Sequence, residues 1–145
     1  MVTAKKAGTT MEVFSDAEME AMQAAKSERK KGKKADGKAD MLAKIAEMND
    51  SDRAIAETIL ELVTENAPQL SPKTWYGMPA WANAAGKVVC FLTPAGKFDS
   101  RYASFGFNDS ATLDDGNMWP TSFAITKLGK SDEERLAMLI RKAAG

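Results

Sequence analysis

The sequence predicts an α+β domain on three observations. Aliphatic residues recur at helical spacing between residues 41 and 63, the composition turns aromatic and β-branched after Pro68 and Pro72, and the chain closes on another helical stripe. Helices therefore precede a group of about four to five short strands, and a final helix follows them.

Composition bounds the chemistry. The 145 residues carry 20 Lys plus Arg against 20 Asp plus Glu, no His, one Cys and 44% apolar residues. A chain of this length removes about 68% of its unfolded surface from water, enough for a core without disulfides or a metal staple. Balanced charge exerts no global pull toward nucleic acid or an anionic membrane, and one cysteine closes no intrachain disulfide. No apolar run exceeds five residues, so neither a membrane span nor a secretory segment is expected, and the expected setting is the reducing cytoplasm. Without His, hydrolytic triads that use it are excluded, and the commonest nitrogen metal ligand is missing. Paired carboxylates, Lys or Tyr leave other catalysis chemically open, but the expectation is a binding protein that is no enzyme.

The elements follow in order. Residues 1–13 lack a sustained period and read as a frayed tail. Ser15 and Glu18 form a capping-box pattern that opens a helix, with Met19, Met22 and Ala25 on one side, ending near Gly32. Residues 26–38 hold seven basic and two acidic side chains, either a solvated linker or a contact for phosphates or an acidic partner. No aromatic residue lies between Phe14 and Trp75, so base stacking from this stretch is unavailable and nucleic-acid binding is not expected. Gly32, Gly37 and Lys38 imitate a phosphate-binding P-loop, yet Ala39 lacks the magnesium-binding hydroxyl and no buried strand precedes the stretch. A tail, helix and basic linker over residues 1–38 thus leads into a domain over 39–145.

Met41, Leu42, Ile45 and Met48 mark a second helix, and Ile55, Ile59, Leu62 and Val63 mark a third that belongs to the core, the two separated at Asn49 and Asp50. The segment Trp75–Trp81 is expected as a strand that Pro79 pushes to a sheet edge or end. Val88–Leu92 is a continuous apolar run, as in a central strand covered on both faces. Residues 101–107 alternate, with Ala103, Phe105 and Phe107 sharing one face, and Phe123 with Ile125 suggests a last strand. Residues 108–118 are expected as a loop. Their alternating oxygen donors imitate a calcium loop, but Leu113 stands where the bend needs Gly and Trp119 where the bidentate Glu belongs. The closing helix has a capping-box pattern at Ser131 and Glu134, acids at Asp132 and Glu133, bases at Arg141 and Lys142, and an apolar stripe of Leu136, Leu139, Ile140 and Ala143.

Two constellations are candidate sites. Glu57, Glu61 and Glu65 recur every four residues and so share one helical face, an acidic ridge suited to loose coordination of a hard cation or to plain solvation. Trp75, Tyr76, Gly77, Pro79 and Trp81 concentrate aromatics around a Gly–Pro bend. Because alternate side chains of a strand face opposite ways, one or two of these rings are expected to line a groove for a small molecule or peptide, with Tyr76, Lys87 or Arg101 as polar anchors. Cys90 lies inside the apolar strand with no His to activate it and reads as a small buried hydrophobe.

The order of these features, a helix, then Trp75-Tyr-Gly-Met-Pro-Ala-Trp81, then Lys87-Val-Val-Cys-Phe-Leu92, then the alternating strand ending in Gly106-Phe107, resembles the YdhG-like family of small bacterial domains of unknown function. The resemblance spans roughly residues 40–144, with Trp75, Gly77 and Pro79 its most specific element. It implies an antiparallel sheet packed against helices. It also implies, for some members, a frataxin-like iron chaperone that needs no resident cofactor, holds ferrous iron weakly on acidic residues, and delivers it to iron–sulfur or haem assembly proteins. Glu57, Glu61 and Glu65 are the ligands to test by that resemblance, with Asp114 and Asp115 after them. The basic extension, residues 1–38, departs from the shortest members.

Overall fold

The computed structural model describes residues 16–31 and 37–145, with residues 25–31 described by their backbone alone. The tail, the Ser15 cap and residues 32–36 of the basic stretch lie outside the described residues, as do the side chains of Ala25–Lys31. The chain runs α1 (Asp16–Lys31), α2 (Gly37–Ala46), α3 (Asp50–Asn66), β1 (Ser71–Trp75), β2 (Met78–Ala82), β3 (Val88–Thr93), β4 (Ala103–Phe107), β5 (Ser122–Ile125) and α4 (Lys130–Ala144). The five strands form one antiparallel meander in the order β1-β2-β3-β4-β5, so the fold is α+β. No described helix is long and apolar enough to cross a membrane.

Register decides which side chains meet. Trp81 opposes Cys90, Cys90 opposes Phe107, Leu92 opposes Phe105, Phe105 opposes Phe123, and Ala103 opposes Ile125. These positions share one face of the sheet. Against it lie Ile55, Ile59, Leu62 and Val63 of α3, Leu136, Ile140 and Ala143 of α4, and Met41 and Ile45 of α2. Each of these side chains but that of Ala143 contributes about 1.5–3 kcal/mol of gross transfer free energy. Trp81, Phe105, Phe107 and Phe123 run through this core as an edge-to-face series with centroids 6.5, 5.1 and 6.5 Å apart, the geometry favoured by ring quadrupoles.

The opposite face carries Lys73, Ala80, Phe91, Gly106 and Ser122 in one cross-strand row. The ring of Phe91 lies over Gly106, where a β-carbon would stand 2.6 Å from Cζ, and Trp75 meets Phe91 edge-on at 5.0 Å. Only glycine admits that ring to the backbone.

Several sequence expectations change. Residues 75–81 are not one strand: Tyr76 and Gly77, with φ of 53° and 76°, form a two-residue hairpin turn between β1 and β2, as both central positions of a type I′ turn require. Pro79 sits in an interior strand rather than at an edge. Its missing N–H is tolerated because the β2–β3 register begins one residue later, at Ala80 opposite Phe91. Among the described side chains of α1 the buried one is Ala21, while Met22 is 39% exposed. This helix rests on the hairpin, with the Ala24 methyl 3.4 Å from where a Gly77 β-carbon would stand. Leu42 likewise points outward from α2. The domain boundary at 38/39 falls inside the first turn of α2. The last helix starts one residue before Ser131: Gly129 is its N-cap, and Asp132 Oδ2 accepts from the Gly129 N–H at 2.9 Å. From the irregular segment 108–118, Thr112 donates its hydroxyl to the carbonyl of Lys142 and caps the other end of that helix.

Candidate functional site

The α2–α3 junction, the β1–β2 turn and the β3–β4 loop meet at one end of the sheet. Asn49 caps α3, its Oδ1 accepting from the Asp52 N–H at 2.9 Å. That cap fixes the first turn and turns Asp52 inward, where it is only 3% exposed. Its Oδ1 accepts from the Ala95 N–H at 3.1 Å and its Oδ2 from the Gly96 N–H at 2.9 Å. A buried carboxylate is tolerable only when its lone pairs are met in this way. The β3–β4 loop is thereby tied to the helix start.

Between these elements lies a cleft of about 310 Å³. Met48 and Pro94 supply its apolar surface, Gly77 and Gly96 let backbone approach it, and Glu20 reaches it from α1. Lys44, Glu47, Asp52 and Lys97 bring the remaining charge. Lys44 Nζ stands 3.8 Å from Glu47 Oε1, a long and half-exposed ion pair. Lys97 Nζ lies 3.0 Å from where a Gly77 β-carbon would stand, over the tip of the hairpin. Among the described residues no carboxylate pairs with it.

The candidate aromatic groove divides. Trp81 is 1% exposed and Pro79 is buried, so both belong to the core and neither lines a groove. Trp75 is half-buried between the rings of Tyr76 and Phe91, at 5.1 and 5.0 Å, and Tyr76 is 40% exposed. Gly77 lines the cleft. Arg101 is exposed and lays its guanidinium over the ring of Tyr102 at 5.5 Å. Lys87 belongs to the β2–β3 turn at the far end of the sheet. Of the anchors the sequence suggests, only Tyr76 stands at the hairpin tip, beside Gly77.

Glu57, Glu61 and Glu65 are all exposed along α3. Among the described residues no group of three or more His, Cys, Asp or Glu is placed to hold a metal ion. Burial pushes the Cys90 thiol up to about 12, as desolvation of a thiolate requires.

Asp52, Asn49, Lys44, Lys97 and Glu20 do not emerge from sequence reasoning. One local signal was present: Asn49 followed three residues later by Asp52 at a helix start, a pattern in which the cap fixes where the acid points. Compared with models of known protein families, with curated proteins and with solved structures, the chain matches none.

Proposed function

We propose that this chain is a small-molecule binding module, not an enzyme, and that its seat is the cleft at the loop end of the sheet. The observation that carries the reading is the doubly hydrogen-bonded Asp52, which fixes the β3–β4 loop to the start of α3 as one wall of a cavity of about 310 Å³. Preformed, concave and partly apolar sites with a few convergent polar groups are the usual form of ligand pockets, and this one lies at the small end of their ~300–1,000 Å³ range. The lone buried cysteine and balanced charge support a cytoplasmic setting.

The iron-carrier reading that the YdhG-like resemblance suggests has the exposed Glu57, Glu61 and Glu65 ridge behind it and no convergent ligand set among the described residues, so the cleft takes precedence. A thermal-shift screen of small metabolites, run on the wild type and on a Met48→Trp variant that fills the cleft, tests the proposal. Compounds that raise the wild-type melting temperature and lose their effect in the filled variant support it. An absence of stabilising compounds, or equal stabilisation of both proteins, overturns it.

A further inference from the structure

We infer that the cleft selects a small zwitterion, an amino-acid-like molecule carrying one carboxylate and one ammonium group on a compact aliphatic body. The inference rests on the cleft being the ligand seat and goes on to name the ligand class.

The charges decide it by elimination. Five charged side chains line the cleft, and three of them are spent. Both carboxylate oxygens of Asp52 are taken up by the amides of Ala95 and Gly96, and the group is shielded from solvent. Lys44 and Glu47 face one another and largely cancel. Lys97 and Glu20 are left, one on the β3–β4 loop and the other on α1, and neither is paired with another described residue. A ligand bearing only a carboxylate would meet Lys97 and leave Glu20 facing its uncharged end. A ligand bearing only an ammonium group would do the converse, and a neutral ligand would meet neither charge. A zwitterion satisfies both and leaves the net charge of the filled cleft unchanged.

The rest of the lining agrees with a compact ligand. Met48 and Pro94 are its apolar surface, enough for a short aliphatic chain. Gly77, lacking a side chain, leaves the Lys97 ammonium room to sit over the hairpin tip. Glu20 has a further consequence. In α1 Ala21 is buried while its neighbours Glu20 and Met22 are exposed, so a ligand bridging Glu20 to Lys97 adds a tie between this helix and the sheet.

Isothermal titration with L-leucine, isopentylamine and 4-methylpentanoate, three molecules of one shape and different charge, tests the inference. L-Leucine is expected to bind at least ~10-fold more tightly than either analogue, since each loses one charge-assisted contact. Lys97→Gln is expected to weaken leucine and 4-methylpentanoate and spare isopentylamine, while Glu20→Gln weakens leucine and isopentylamine and spares 4-methylpentanoate. Both changes lie on polar side chains at the cleft rim, and circular dichroism confirms the fold of each. Hydrogen exchange over residues 16–24 gives a second reading: saturating leucine slows it in the wild type and leaves it unchanged in Glu20→Gln. Equal affinity for all three probes overturns the inference, as does slowed exchange that survives Glu20→Gln. If leucine fails to bind while a compound from the metabolite screen occupies the cleft, the ligand class is wrong and the binding function stands. If nothing binds, both fall.

Discussion

The carboxylate of Asp52 and the backbone amide of Gly96, 44 residues apart in sequence, are joined by a 2.9 Å hydrogen bond that fixes the β3–β4 loop against the first turn of α3. With the parallel bond from Ala95 it forms a two-point clamp, and it defines one wall of the cleft. Asp52→Ala removes both acceptors and strands two partly buried amides. The expected cost is about 2–4 kcal/mol in urea unfolding, with the denaturant slope unchanged. Asp52→Asn keeps one acceptor and turns an N–H₂ toward the other amide, so an intermediate loss of about 1–2 kcal/mol is expected. A wild-type midpoint in Asp52→Ala would show that the clamp does not hold the loop.

Gly77 sits at φ 76°, the left-handed region in which a β-carbon costs about 1–2 kcal/mol. A methyl there would also stand 3.0 Å from Lys97 Nζ and 3.4 Å from the Ala24 methyl. Gly77→Ala is therefore expected to destabilise the hairpin by at least that amount and to push Lys97 from its place. Differential scanning calorimetry reads the first effect, and loss of leucine binding in the folded fraction reads the second. Unaltered stability would contradict the turn geometry.

Cys90 offers a pH test. Its thiol ionises near 9 when exposed and near 12 in the folded chain, because burial disfavours the thiolate. A folded value above the unfolded one means a stabilising contribution fully present below pH 9 and lost as pH rises from 9 toward 12. Urea midpoints should therefore fall more steeply above pH 9 in the wild type than in Cys90→Ala, which lacks the group. Iodoacetamide at pH 8 should label the native thiol far more slowly than the unfolded one. Equal labelling rates would place the thiol at the surface.

The acidic ridge on α3 is tested by changing Glu57, Glu61 and Glu65 together to Gln. Anaerobic dialysis against ferrous iron is expected to show the same retention in variant and wild type, since three exposed carboxylates spaced along one helix do not converge on one ion. Iron retained by the wild type and lost by the variant would restore the carrier reading in place of the cleft.

How much of this was legible in the chain depends on how local each signal is. The stripes of α3 and α4 and the alternation of Ala103, Phe105 and Phe107 were readable because helical and strand periods are written in neighbouring residues, and those side chains are buried as the periods require, save Leu139, which is only partly so. The same local logic failed at Trp75–Trp81. Alternation says that Trp75 and Trp81 differ in environment only once the two-residue turn is counted, and the turn depends on Tyr76 accepting a positive φ that tyrosine seldom adopts.

The amino-acid sequence by itself determined the class of fold, the order of its elements and the absence of imidazole chemistry, since each follows from residue type and short-range spacing. Tertiary structure alone decided where a ligand would sit. Glu20, Asp52, Gly77 and Lys97 belong to four separate elements, and the forces that gather them, a carboxylate seeking two loop amides and a small helix face settling on a hairpin, act between residues with no shared local pattern. The aromatic segment shows the same division: its density was plain, but which ring enters the core is set by the helices that cover one face of the sheet and leave Tyr76 exposed.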